Sequence, residues 1–259
     1  MTILFEQIYV LTLEKNKEKQ AIITEHLGKL DIGFEFWYGF NGNDDLTDEE
    51  IAKYTVSPAA RAFSRGERKP MTKGEYGCLK SHADIARDAR KRGFNGYLVL
   101  EDDARVAPDF WERIKQLESE FPADTELLFL GNIFYGKKLP IRKKYQLTEH
   151  IWNFKTMNIM ATHAFIVREA AYDRMIDLWE SFDDIADLKI ISAAKKEVVK
   201  GYCMLPYCAY QADGRSDINN KNRDMVSTRR LYSDDMNTWP GVNENDEVHP
   251  EGKWPTQLF

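Results

Sequence analysis

Glu101, Asp102 and Asp103 follow directly on the apolar run Leu98-Val99-Leu100. Adjacent carboxylates repel one another, and burying an ionised one without a partner is costly. Solvent, a basic side chain, a helix N-terminus or a metal must therefore compensate them. Successive strand residues point to opposite faces, so Glu101 and Asp103 can converge on one ligand while Asp102 points elsewhere. Such a pair of hard oxygen donors suits Mn²⁺ or Mg²⁺ held jointly with substrate phosphates. The bland alternative is that Asp103 caps the turn into the next helix and its neighbours are solvated.

The surrounding pattern alternates short apolar runs with amphipathic stretches, which points to α/β. Gln7 to Leu13 reads as a first strand, and Ile23, Leu27 and Leu30 recur at helical spacing, weakened by Gly28. Phe34 to Gly42 reads as a second strand closing in a turn. Residues 44–73 read as a short helix and then a basic loop. Leu79, Ala83 and Ala86 mark a helix stopping at Gly93. The run NGYLVLEDD is then a strand covered on both faces.

Pro108 opens a helix with Phe110, Ile114, Leu117 and Phe121 inward. Thr125 to Asn132 and Thr162 to Val167 read as strands. A helix with Ala171, Met175, Leu178 and Phe182 inward follows, and a last one covers Leu188 to Lys200. YCMLPYCAYQ is short and extended. The expectation is one domain over 1–218, with an irregular tail, 219–259, packed on it. Ligands of open α/β sheets bind outside the carboxyl ends of the strands, where the three acids fall. A response-regulator receiver carries its acid pair after its first strand. A haloacid-dehalogenase-type phosphatase needs aspartate where Glu101 stands. Neither pattern fits.

The chain has 259 residues, 43% hydrophobic and 30% charged, with net charge −6. That charge argues against wholesale nucleic-acid binding. No apolar run approaches the roughly 20 residues of a membrane span, so at most peripheral membrane contact is expected. MTILFEQIYV carries Glu6 and no basic leader, and does not read as a signal peptide. Cys78, Cys203 and Cys208 are too few for a disulfide framework or a zinc site. A cytoplasmic protein with reduced thiols is the expectation.

Four ordered segments resemble glycosyltransferase family 25, which includes lipooligosaccharide and collagen galactosyltransferases. They are IYVLTLEKNKEK (8–19), KGEYGCLKSHADIARDA (73–89), YLVLEDDARVAPDF (97–110), and a looser set: THAFIVREAAYDRM (162–175), IADLKI, and YQADGRSDI (210–218). The Gly-Glu-x-Gly-Cys-x-x-Ser-His element followed by Glu-Asp-Asp is the specific part. The first segment departs from the family: Thr12 stands where Asn is usual, Lys15 and Lys19 replace Arg, and Glu18 replaces Asp. Lysine lacks arginine's two-pronged grip on a phosphate or carboxylate.

The resemblance implies a GT-A-like nucleotide-sugar domain, a divalent metal, a UDP-sugar donor with UDP-galactose first choice, a saccharide or glycoconjugate acceptor, and inversion. Glu101 and Asp103 become the metal and diphosphate candidates, and Asp102 a ribose or backbone contact. Thr12 and Leu13 are placed against the uracil. Glu75 and His82 either link their helix to the donor site or serve as a helix-terminal acid and a core histidine. Cys78 is read as packing. His163 is either a buried, hydrogen-bonded histidine or a donor ligand. Asp187 is the choice for general base, with Asp183, Asp184 and Asp213 as competitors. Gln211, Ser216 and Asp217 are expected to close over the donor.

The basic run Lys137, Lys138, Arg142, Lys143 and Lys144 is either solvated or grips an anionic acceptor. Two other functions fit parts of the pattern. One is a sugar-nucleotide-binding protein without transfer. The other is a nucleotidyltransferase, which normally has a Gly-rich, Arg-containing loop after the first strand that this sequence lacks.

Overall fold

The computed structural model describes residues 4–60, 66–134, 145–153, 159–218 and 222–223. The basic run at 137–144 and the tail beyond residue 218, apart from 222–223, lie outside the described residues, as does the 61–65 part of the basic loop. In chain order the elements are β1 (Gln7–Thr12), α1 (Lys17–Gly28), β2 (Glu35–Tyr38), α2 (Gly42–Asp45), α3 (Asp48–Ala52), β3 (Thr55–Val56), β4 (Lys69–Pro70) and α4 (Lys73–Arg92). β5 (Gly96–Glu101), β6 (Ala104–Val106), α5 (Phe110–Glu120), β7 (Leu127–Phe134), β8 (Ile151–Asn153) and β9 (Ile159–Arg168) follow. The described chain ends with α6 (Tyr172–Glu180), α7 (Ala186–Lys195), β10 (Gly201–Met204), β11 (Ala209–Gln211), β12 (Gly214–Arg215) and β13 (Asn222–Arg223).

The fold is mixed α/β. Seven strands form one sheet in the order β2-β1-β5-β9-β7-β10-β8. β2, β1 and β5 run parallel, β9 runs against β5 and β7, and β8 runs against β10. This places the carboxyl ends of β1, β2 and β5 along one edge, beside the start of β9.

Strand side chains alternate, so each strand feeds two cores. Tyr9, Val99, Phe165 and Val167 pack against α4, α6 and α7 through Leu79, Ala83, Met175, Trp179 and Ile190. Val10, Leu98, Leu100 and Ile166 pack on the other face against α1 and α5 through Ile23, Leu27, Ile114 and Leu117. Covering on both faces explains why β5 is apolar throughout until the acids begin.

Several elements differ from the sequence reading. α4 starts at Lys73 despite Gly74 and Gly77. The reason is a capping box, in which Thr72 Oγ1 accepts from the Glu75 amide while Glu75 accepts from the Thr72 amide. Such a box satisfies two of the donors a helix start leaves unpaired. α4 ends at Gly93, whose φ of 72° is the left-handed stop expected of glycine. The inner stripe of α6 is Tyr172, Met175, Ile176 and Trp179, with Leu178 and Phe182 only partly buried. Trp179, stacked on His82, sets that rotation. α7 begins and ends earlier than the expected 188–200. β6 and β8, three residues each, are too short to carry a periodic signal of their own.

Candidate functional site

At the carboxyl edge of β1, β2 and β5 lies a cavity of about 110 Å³. Leu11, Thr12 and Leu13 from β1 and its exit, and Glu101, Asp102 and Asp103 from β5 and its exit, form its floor. Gly39 to Asn43 and one face of α4 (Gly74, Gly77, Cys78, Ser81) form a wall, and Gln211 and Ser216 to Ile218 close the remaining side.

The α4 wall explains its unusual residues. A Cβ on Gly77 would sit 2.6 Å from the Phe40 carbonyl oxygen, and one on Gly74 2.6 Å from that of Ile218. Glycine lets α4 approach both backbones. Ser81 fastens the first contact, donating to the Gly77 carbonyl at 2.6 Å and accepting from the Phe40 amide at 2.9 Å. Cys78, read from sequence as packing, stands in the pocket wall.

The three acids have separate partners. Glu101 accepts from Thr162 Oγ1 at 2.7 Å, across to β9. Asp103 accepts from Gln211 Nε2 at 2.9 Å, and its carbonyl accepts the Ala212 amide at 2.8 Å. Pairing of β6 with β11 sets this register, with Gln211 opposite Ala104. Asp102, 7% exposed, accepts from Thr12 Oγ1 at 2.7 Å and Asn16 Nδ2 at 3.2 Å, and lies 3.5 Å from Lys19 Nζ. Asp217 meets the same two side chains, at 2.9 Å from Asn16 and 2.5 Å from Lys19. Burial works against the Lys19 ammonium, but Asp102 and Asp217 outweigh it and hold its pKa above the ordinary lysine value.

Glu101 and Asp103 both line the cavity and offer hard carboxylate oxygens, the donor type that suits a divalent cation. The bonds from Thr162 and Gln211 orient them. Asp102 is engaged by Lys19 instead. A second group of oxygen and nitrogen donors, Glu120, Glu149 and His150, lies beside β8. There Glu120 is bonded to the Thr148 hydroxyl and to the His150 amide and Nδ1.

Thus Thr12, Leu13, Glu101, Asp102, Asp103, Gln211, Ser216 and Asp217 meet in one cavity. Glu75, His82, His163 and Asp187 do not line it. Glu75 is spent on the capping box. His82 is fully buried mid-helix, its ring stacked on Trp179 at 5.3 Å and facing Phe165 at 5.5 Å, and burial pushes its pKa down to about 4. Of the two readings given for this pair, the structure shows helix capping for Glu75 and core packing for His82. His163 is also fully buried, beside Gly131 and Ala209, and burial pushes it down to about 4. It is a core histidine, not a donor ligand, because β9 turns it toward β7 and β11.

Asp187 lies at the start of α7, accepting from the Leu188 amide at 2.9 Å and the Ala161 amide at 3.3 Å. Burial raises its pKa. Ala161 precedes Thr162, the partner of Glu101, so Asp187 stands just beyond the acidic floor. Asp183 is held by Lys189 and Ser181, and Asp184 by the Ser57 and Ile185 amides.

Asn16 was not singled out in the sequence, Lys19 was read only as a lysine where the family has arginine, and Gly39 to Asn43 were read only as a turn. Their signal was position, directly after strands whose carboxyl ends share an edge.

The family model for glycosyltransferase family 25 (LPS biosynthesis protein) matches residues 5–187. The chain belongs to glycosyltransferase family 25. A Haemophilus influenzae protein provisionally named a glycosyltransferase is 22% identical over 232 residues, covering 83% of this chain and 78% of that one. Mouse procollagen galactosyltransferase 2 is 20% identical over 152 residues, covering 58% of this chain and 24% of its own length. A bovine family 25 member 3, provisionally named inactive, is 25% identical over 130 residues, covering 49% and 22%. The chain spans about a quarter or less of the animal relatives it matches. Among the described residues, no helix is long and apolar enough to cross a membrane.

Proposed function

We propose that this chain is a GT-A-like, metal-dependent glycosyltransferase. It transfers a hexose, galactose by preference, from a UDP-sugar to a hydroxyl of a saccharide or glycoconjugate, with inversion. One observation carries the reading: the acids after β5 and the exit of β1 meet in a single cavity with Gln211, Ser216 and Asp217. Family membership and the galactosyltransferase name of the mouse relative support it.

Glu101 and Asp103 would hold Mn²⁺ or Mg²⁺, which when bound supplies positive charge to the leaving diphosphate. Thr12 and Leu13 receive the uracil beside Phe40. Asp102 is a positioning residue: its bonds to Thr12, Asn16 and Lys19 fix the exits of β1 and β5 relative to each other. Asp187 takes the proton of the acceptor hydroxyl on its carboxylate, and burial, by raising its pKa, makes it a better base. The acceptor oxygen bonds to the anomeric carbon as the bond to the UDP oxygen breaks. The electron pair leaves with UDP, and attack from the opposite face inverts the centre. A lipopolysaccharide-type acceptor in the cytoplasm is the setting we infer.

UDP with Mn²⁺ should raise the melting temperature, and Asp103→Ala should remove that rise. No shift with UDP or any other nucleotide in the presence of metal would discard the reading. Asp187's place outside the cavity and the provisionally inactive bovine relative favour one alternative, a donor-binding protein without transfer. That protein would bind UDP yet release none from UDP-galactose or UDP-glucose across a panel of acceptors.

A further inference from the structure

Residues 211–218 run as a strap across the cavity, fastened at both ends. At one end Gln211 and Ala212 bond to Asp103, at 2.9 and 2.8 Å. At the other, Asp217 meets Asn16 and Lys19, and the Ile218 backbone rests on Gly74. The second fastening is chemically odd for a donor-binding wall. Asp217 brings another carboxylate to a floor that already holds Glu101, Asp102 and Asp103, and it takes up the ammonium of Lys19 and the amide of Asn16. Both of these side chains line the cavity, and both are suited to an anionic oxygen. The strap and the floor enclose a cavity of about 110 Å³, and Asp217 holds the side of it where Asn16 and Lys19 stand.

We propose that the Asp217 carboxylate stands in for the donor's diphosphate, and that the incoming anion displaces it from Lys19 and Asn16, lifting the 211–218 strap. This rests on the donor reading above and reverses the part expected of Asp217. It is a competitor for the site and not a ligand of the sugar nucleotide. Lys19 then exchanges one anionic partner for another while keeping Asp102, so the half-buried ammonium stays paired when the strap opens.

The test is calorimetric titration of wild type and Asp217→Asn with two probes, UDP plus Mn²⁺ and inorganic pyrophosphate alone. Asp217→Ser serves as a second variant, and melting curves confirm folding. Removing the competing charge should tighten both probes about tenfold, equivalent to about 1.4 kcal/mol. Hydrogen exchange at 212–218 should rise when wild type binds pyrophosphate. Weaker or unchanged binding by both variants would overturn the proposal, as would a strap that becomes more protected when the probe binds. If pyrophosphate tightens and UDP binds neither protein, the displacement stands and the donor reading falls. If neither probe binds any of the three proteins, both fall.

Discussion

Replacing Gly77 by alanine sets two effects of known sign against each other. In an exposed helix interior the change favours the helix by about 1 kcal/mol. Here the new Cβ would lie 2.6 Å from the Phe40 carbonyl oxygen and 3.0 Å from the Gly42 nitrogen. The first is well inside the separation of about 3.5 Å at which non-bonded atoms meet comfortably. Both contacts are backbone, so no side chain can swing away. The 40–42 loop must move, and the Phe40 amide then leaves Ser81 Oγ, 2.9 Å away. Overpacking of this kind costs about 1–3 kcal/mol, and the lost hydrogen bond about 1 kcal/mol more. The net expectation is destabilisation of about 1–3 kcal/mol. At roughly 2–4 °C per kcal/mol for a chain near this size, Tm falls by about 2–12 °C.

Thermal and urea unfolding measure the loss, and titration with UDP and Mn²⁺ should show weaker binding because the displaced loop lines the cavity. Gly28→Ala is the control, since nothing lies within 4 Å of its Cβ position, and it should be neutral or slightly stabilising. A Gly77→Ala protein melting at or above wild type would refute the claim that α4 and the 40–42 loop are in rigid backbone contact.

Two further predictions concern pH. The carboxyl of Asp187 is raised by burial, so its ionisation penalises the fold at neutral pH, and the penalty disappears below the ordinary carboxyl value. Asp187→Asn should therefore abolish transfer while raising Tm near pH 7, the gain vanishing as pH falls toward 4; a variant with full activity would remove Asp187 as the base. His82 is held neutral, with its pKa at about 4, whereas the unfolded chain protonates near 6.5. Stability should fall between those values as acid favours the unfolded form, and His82→Phe should flatten the fall by an amount on the order of 3 kcal/mol. An unchanged pH profile of unfolding would show that His82 is not buried as a neutral ring.

Apolar runs located β1, β5 and β9, and helical spacing located α1 and α5, because a doubly covered strand is apolar throughout and a covered helix repeats its apolar stripe. Trp179 shows where that logic stops. Its ring had to find His82 on α4 before the inward face of α6 was decided, and a partner so far away in sequence leaves no local trace. The Thr72–Glu75 capping box was written in the sequence but not read there. The reason for glycine at 74 and 77 appears only where the Ile218 and Phe40 backbones stand beside them.

The sequence by itself determined that three acids end a doubly covered strand, which follows from its apolar patterning. The expected divergence of Asp102 from the other two does not hold, because β5 ends at Glu101 and a turn brings all three to one cavity. Only the tertiary structure decided which groups answer those acids: Thr162 for Glu101, Gln211 for Asp103, and Thr12, Asn16 and Lys19 for Asp102. It also withdrew Glu75, His82 and His163 from the cavity and set Asp217 across it. Hydrogen bonds between residues some 60 to 200 positions apart depend on how the strands are ordered in the sheet and which helices cover it, and no short window of sequence carries that information.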